Sequence, residues 1–123
     1  MSVECNRIRG FVYTMPYIDL SKLEDIFGDE FDNIHFSAYD TEVNKVYIVN
    51  DDMNGDYTRI VYPEKLQGPY CYQDDDDSYY KVSNEECPQD IYEKMNEVFK
   101  KIWIISPDLD RSKIEKAIWY HWS

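Results

Sequence analysis

Residues 45–62, KVYIVNDDMNGDYTRIVY, contain two runs rich in β-branched and aromatic side chains, one on each side of the dipeptide Asn54-Gly55. Runs of this kind favour β-strands, and here they cover residues 45–49 and 57–62. Asn-Gly tolerates the positive φ angles of a type I′ turn, which joins adjacent antiparallel strands. The stretch therefore predicts a β-hairpin with Gly55 at positive φ, and an antiparallel sheet around it.

Further strands are predicted on both sides of this hairpin. Residues 7–15 favour a first strand that Pro16 ends, and residues 33–39 favour a second, joined to the strand at 45–49 as a hairpin. Pro63 and Gly68-Pro69 are expected to interrupt the pattern after residue 62. The tyrosine segments around residues 74–77 are expected to form one more, looser hairpin with the acids at its tip. Together these runs predict an antiparallel β-meander of about four to five strands.

Three segments carry helical signals. Ser21 and Glu24 have the capping-box spacing before a short helix that Gly28 is expected to end, and Asp29, Glu30 and Asp32 then fall in a loop. From Pro88 the apolar residues follow a helical period, at Ile91, Met95, Val98, Phe99 and Ile102. After a break at Ser106-Pro107, a last helix is predicted from the stripe of Ile114, Ala117 and Ile118.

The order of these elements predicts an α+β fold, in which an antiparallel sheet carries one short early helix and two C-terminal helices packed on one face. We expect a single domain over residues 1–123, because the chain has an ordinary domain length and no Gly/Ser-rich or Pro-rich linker. Three cysteines without C-x-x-C spacing suit free thiols. With no signal-peptide pattern and no long apolar run, we expect a soluble, cytoplasmic protein.

Metal, cofactor and catalytic motifs are weak. Asn50, Asp52 and Asn54 match the first half of an EF-hand loop, but Val61 stands where the bidentate Glu is required, so no calcium site is predicted. His35 and His121 have no metal-binding or catalytic spacing. We expect no cofactor, no metal and no enzymatic activity, although a catalytic histidine with partners distant in sequence stays open.

Acidic residues dominate the charge. The chain has 25 acids and 13 bases, a formal net charge of −12, of which −10 falls in residues 1–83. Four consecutive aspartates, 74–77, are bracketed by tyrosines, and their mutual repulsion and hydration predict an exposed acidic loop on an ordered scaffold. The predicted partner-binding residues are Asp74, Asp75, Asp76 and Asp77, the tyrosines Tyr70, Tyr72, Tyr79 and Tyr80, and the further acids Asp29, Glu30, Asp32, Asp51, Asp52 and Asp56.

A polyanion of this kind is disfavoured as a direct ligand of nucleic acid or of an anionic membrane, and favours a basic protein partner. Carboxylates at i and i+2 of a strand lie about 6.6 Å apart, similar to successive phosphates. The leading hypothesis is a non-enzymatic inhibitor that mimics DNA, such as a viral counter-defence protein of the anti-restriction or anti-CRISPR kind, acting in the host cytoplasm on a nuclease or other nucleic-acid-binding protein.

Three alternatives use the same residues differently. An immunity protein or antitoxin would neutralise a toxin nuclease with the same charges. A small enzyme or ligand-binding domain would instead have an aromatic pocket, and a deep pocket containing His35 would favour it. In the third alternative the negative charge serves solubility alone.

Overall fold

A computed structural model describes residues 5–36, 42–50, 57–70 and 79–122 of the chain, with the side chains of 8–36, 42–50, 57–65 and 81–119. Within these ranges the chain forms five strands, three α-helices and two 3₁₀ turns, at Gly28–Glu30 and Arg111–Lys113. The strands and helices in chain order are β1 Cys5–Met15, α1 Leu20–Phe27, α2 Phe31–Ile34, β2 Tyr47–Asn50, β3 Thr58–Tyr70, β4 Tyr79–Ser83, α3 Gln89–Ile102 and β5 Glu115–Trp122.

All five strands belong to one sheet with the order β2-β3-β1-β5-β4, and all neighbours are antiparallel. This confirms the predicted α+β class and the antiparallel sheet. The pairing of β2 with β3, from Tyr47 opposite Val61 to Asn50 opposite Thr58, is the one predicted from the opening stretch. Gly55 and the rest of the predicted turn lie in residues 51–56, outside the described ranges.

The predicted β-meander is wrong, because β1 lies in the centre of the sheet between β3 and β5. Side chains of β1 are buried on both faces of the sheet: Phe11 and Met15 belong to one apolar cluster, and Ile8 and Val12 to the other. A strand that is apolar on both faces is best shielded from water in a central position, with a neighbour on each side.

The predicted strand at 33–39 is also wrong over the residues that the structure describes. Gly28, at φ 55°, ends α1, and the chain then re-enters helical conformation through α2, so Asp29, Glu30 and Asp32 lie in a 3₁₀ turn and a helix and not in a loop. His35 makes only an isolated bridge to Ile48, and that bridge is parallel. Residues 37–41 lie outside the described ranges.

The capping box predicted at Ser21 and Glu24 does not form. Asp19 is the N-cap of α1 and no side chain caps the helix. The helix starts at Leu20, two residues earlier than a cap at Ser21 requires, and the amides of Lys22 and Leu23 donate to the carbonyl oxygen of Asp19 at 3.0 and 3.1 Å. The carbonyl oxygen of Asp19 therefore accepts hydrogen bonds from amides at the start of the helix, where other helices use a side-chain cap.

Pro63 and Gly68-Pro69 lie within β3 and do not interrupt it, contrary to the prediction. The ladder shifts between Arg9 opposite Lys65 and Gly10 opposite Pro63, so Glu64 is an extra residue in β3 and forms a bulge. Pro63 lacks an amide proton and is tolerated next to a bulge, where the ladder of hydrogen bonds is already irregular.

The looser hairpin expected around residues 74–77 is not formed between its flanking strands. β4 pairs with β5, and β1 and β5 both lie between β3 and β4 in the sheet. The C-terminal helix is wrong too, because residues 115–122 form β5. The short stripe of Ile114, Ala117 and Ile118 fits a helix, but the same run of apolar and aromatic residues fits a strand buried on both faces.

Apolar side chains pack on both faces of the sheet. On one face, the sheet packs against the helices, and Ile91, Met95, Val98 and Phe99 of α3 are buried there as predicted, with Ile102 partly buried against them. The opposite face carries a second buried cluster, consisting of Ile8, Val12, Phe36, Tyr47, Val49, Val61, Ala117 and Trp119. The packing was predicted on one face only, and the alternation of side chains along β2, β3 and β5 accounts for the second cluster.

We expect Phe99→Ala to lower the free energy of unfolding by roughly 3 to 5 kcal/mol, because it leaves a cavity against the Tyr13 ring. The two ring centroids lie 5.6 Å apart at an interplanar angle of 89°. Urea denaturation followed by circular dichroism measures this change. Glu97→Ala, on the exposed side of the same helix, is the control and should cost less than about 0.5 kcal/mol. Equal denaturation midpoints for both variants would remove Phe99 from the core.

Gly10 is required by a close approach of two backbones. A Cβ atom there would lie 2.1 Å from the carbonyl oxygen of Tyr62 and 2.9 Å from the Cα atom of Pro63. We expect Gly10→Ala to lower the free energy of unfolding by roughly 3 kcal/mol or more, since backbone atoms must shift. Gly28→Ala meets no atom within 4 Å and should cost roughly 1 to 2 kcal/mol, through its φ angle alone. A ranking of the two midpoints in the reverse order would contradict this account.

Candidate functional site

Three of the predicted partner-binding acids have described side chains. Asp29, Glu30 and Asp32 are exposed, and they lie on the 3₁₀ turn and on α2. The carboxylate of Glu30 lies 3.2 Å from the Nζ of Lys101 on α3. Glu30 therefore has a partner within the fold, and its negative charge is partly offset there.

The other predicted residues are described only in part or not at all. For Tyr70, Tyr79 and Tyr80 the backbone is described: Tyr70 lies opposite Cys5, Tyr79 opposite Trp119, and Tyr80 opposite Ile118. The remaining predicted residues, which are Asp51, Asp52, Asp56, Tyr72, Asp74, Asp75, Asp76 and Asp77, lie outside the described ranges.

The residues that flank the two acidic segments lie far apart. Asn50 and Thr58, on either side of residues 51–56, pair at the start of β3. Tyr70, which precedes residues 71–78, ends the same strand. Thirteen residues of strand separate these ends by roughly 40 Å. The described parts of the chain therefore do not bring the two segments' anchors together.

Buried hydrogen bonds hold the anchor of residues 51–56. The hydroxyl of Thr58 donates to Oδ1 of Asn50 at 2.5 Å, Nδ2 of Asn50 donates to the carbonyl oxygen of Ile18 at 3.1 Å, and the amide of Ile18 donates to the Thr58 hydroxyl at 2.9 Å. The three groups close a ring. Asn50 thus uses both polar atoms of its side-chain amide within the fold.

Positive and negative charges are distributed differently along the chain. The described ranges contain all thirteen bases and sixteen of the 25 acids, so their formal net charge is −3. The other nine acids fall in residues 1–4, 37–41, 51–56 and 71–78, which contain no base. Nine of the twelve net negative charges therefore fall in these four stretches of the sequence, and the rest of the chain, the body, is nearly balanced.

Lys116 is a buried cation that sequence reasoning missed. It is 9% exposed, its Nζ lies 4.5 Å from the centroid of the Phe11 ring, and it bonds to Glu64 and, at 3.1 Å, to Glu85. Burial acts to lower the pKa of Lys116, but the hydrogen bonds to Glu64 and Glu85 outweigh it and the pKa is raised. The charged group links β5 to β3 and to the segment before α3.

A cleft of about 520 Å³ lies beside this cluster, between the end of β4 and the 3₁₀ turn that precedes β5. Its lining carries both signs of charge, with Lys81, Arg111 and Lys113 among Glu85, Glu86 and Glu115. Arg111 is engaged locally: its Nε donates to the carbonyl oxygen of Cys87 at 2.7 Å and its Nη1 donates to Oε1 of Gln89 at 2.9 Å. These bonds tie the 3₁₀ turn at Arg111–Lys113 to the N-terminal end of α3.

His35, the residue that would favour an aromatic pocket, does not line this cleft. Its ring stacks on Phe31, with centroids 5.0 Å apart and an interplanar angle of 17°. Within the ranges that the structure describes, no group of three or more His, Cys, Asp or Glu residues is placed to hold a metal ion. In those same ranges, no helix has the length and apolar character needed to cross a membrane.

Comparisons of the chain with protein-family models, with curated proteins and with solved structures found no match. The charge distribution and the geometry of the chain itself are thus the observations that bear on its function.

The Cys87 thiol should make the free energy of unfolding depend on pH in the alkaline range. Burial raises its pKa from 9.0 to about 11, against a lowering effect of Arg111. Above pH 9 the unfolded chain releases the thiol proton first, so the stabilisation is complete below about pH 9 and is lost as the pH rises towards about 11. The loss should reach about 2 to 3 kcal/mol at the upper pH.

Urea denaturation of the wild type and of Cys87→Ala between neutral and alkaline pH measures this effect. The alanine variant is less stable at neutral pH because it leaves a small cavity, but its stability should fall less steeply above pH 9. Parallel curves for the two proteins would show that this thiol does not contribute to the alkaline loss of stability.

Proposed function

We propose that the protein is a non-enzymatic inhibitor that binds a basic, nucleic-acid-binding partner by mimicking nucleic acid, as a viral counter-defence protein of the anti-restriction or anti-CRISPR kind does. The observation that carries this proposal is the segregation of charge. Nine acids and no base lie in the four segments at 1–4, 37–41, 51–56 and 71–78, while all thirteen bases lie in the rest of the chain.

Ion pairs within the described ranges support this proposal, because they neutralise several of the basic side chains there. Lys101 pairs with Glu30, Lys116 with Glu64, and Arg111 lies 3.6 Å from Glu86. The residues outside the four segments have a formal net charge of −3, and the other nine acids fall in segments that contain no base. A basic partner is attracted to such segments over several ångströms at physiological salt, whereas the balanced body attracts it little.

The dimensions are those of a nucleic-acid ligand. Carboxylates at i and i+2 of an extended segment lie about 6.6 Å apart, comparable to successive phosphates. The flanks of the two acidic segments lie roughly 40 Å apart along β3, which is about the length of twelve base pairs of duplex. A nuclease groove of that length spans the distance between the two anchors. The neighbouring tyrosines Tyr70, Tyr72, Tyr79 and Tyr80 supply rigid amphipathic anchors of the kind that interfaces favour.

We expect replacement of Asp74, Asp75, Asp76 and Asp77 by asparagine to slow association with the basic partner and weaken inhibition at least about tenfold, while the fold stays intact. The partner is first isolated by pull-down from the native host and identified by mass spectrometry. Binding is then measured by surface plasmon resonance at low and high salt, with and without duplex DNA as competitor. Wild-type affinity should fall steeply with salt, and DNA should compete.

A matched variant controls for net charge. Glu24→Gln, Asp25→Asn, Asp90→Asn and Glu93→Gln together remove the same four charges from exposed positions on α1 and α3. This variant should keep nearly full affinity. Equal weakening by both variants would indicate a general charge effect, and a partner that binds DNA and this protein at the same time would contradict the mimicry.

A further inference from the structure

The turn after α3 exposes two isoleucines. Ile104 is 76% exposed and Ile105 is 99% exposed, whereas the other large exposed hydrophobic residues among the described side chains, Tyr17, Val43 and Val82, are 37–41% exposed. Two adjacent aliphatic side chains that are this accessible form an apolar projection on a charged surface. Exposed apolar groups of this kind mark interaction sites when they are contiguous.

The fold holds this projection outward. The indole Nε1 of Trp103 donates to Sδ of Met15 at 3.5 Å, which anchors the residue before the projection to the core. The residue after it is fixed as well, because the amide of Ser106 donates to the carbonyl oxygen of Trp103 at 3.1 Å and Lys100 donates to the carbonyl oxygen of Ser106. With both sides of the turn held, Ile104 and Ile105 have no buried position available to them.

An open groove of about 600 Å³ lies beside the projection, between α1 and α3. Its apolar lining comes from Ile26, Phe27 and Ile104, so the projection forms one wall of the groove. The polar residues around it are Glu30, Glu97, Lys100 and Lys101. These are two acids and two bases, and the patch is formally neutral in a chain with a net charge of −12.

The neutral charge and the shape of this patch both favour a second copy of the chain as its binding partner. A two-fold axis places a surface patch against itself, so a patch with charges of one sign repels its copy, while this one offers an acid for each base. An apolar projection next to an apolar groove is also self-complementary. A basic partner gains little electrostatic attraction here, because the lysines lie among the acids.

We propose that this patch is the interface of a homodimer, in which Ile105 of each copy enters the groove between α1 and α3 of the other. The proposal does not rest on the proposed inhibitory function. If both hold, the dimer carries every acidic segment twice, and a partner with two basic grooves is bound more tightly than either site alone provides.

Sedimentation equilibrium from low micromolar to sub-millimolar protein tests this interface. We expect a reversible monomer–dimer equilibrium for the wild type, and an increase of the dissociation constant by at least about tenfold for Ile105→Asp, because a charge is placed in an apolar contact. Val43→Asp adds the same charge at another exposed aliphatic residue and should leave the equilibrium unchanged. Near-UV circular dichroism should be identical for the three proteins.

The proposal is overturned by a wild type that stays monomeric throughout this range, or by a dimer that Ile105→Asp weakens no more than Val43→Asp does. The response to salt distinguishes dimerisation from binding to a basic partner. Raising the salt concentration screens the net repulsion between two acidic copies, so the dimer should hold or tighten, whereas binding to a basic partner should weaken. A dimer that dissociates on addition of salt would show that contacts between opposite charges, and not this apolar patch, hold the copies together.

Discussion

At Gly10, β1 lies so close to β3 that the carbonyl oxygen of Tyr62 occupies the place of a side chain. This approach coincides with the bulge at Glu64, the extra residue between the pairs Gly10–Pro63 and Arg9–Lys65. The bulge supplies a carboxylate to Lys116, which lies opposite Phe11 on the other side of β1. A steric constraint on one residue thus fixes the local register of β1 and β3 and positions the carboxylate that keeps a buried lysine charged.

Local signals were sufficient where the interacting residues are close in sequence. The pairing of β2 with β3 and the buried face of α3 both follow from a periodic pattern within one stretch. β5 could not be predicted in this way, because the apolar pattern of residues 114–119 suits a helix or a strand, and the position of β5 between β1 and β4 decides the matter. Pro63 was misjudged for a related reason: a bulge permits a proline inside a strand, and the bulge depends on pairing with β1.

The same distinction applies to the functional residues. The run of aspartates at 74–77 is visible in the sequence because its members are adjacent. The Lys116 cluster is not, because Glu64 and Glu85 lie 52 and 31 positions away in the chain. The hydrogen-bonded ring of Asn50, Thr58 and Ile18 is also invisible in the sequence, because its members come from three separate segments. In the sequence, Asn50 instead matches a position of the EF-hand loop. Only the three-dimensional pairing of the strands brings these groups together.

The division of charge has a consequence for stability. Ion pairs such as Lys101–Glu30 and Lys116–Glu64 lie within the body, so a nearly balanced set of charges supports the fold. The segments at 51–56 and 71–78 are anchored roughly 40 Å apart along β3, several times the screening length of about 8 Å at physiological salt. Two charges that lie at these two anchors are therefore largely screened from each other.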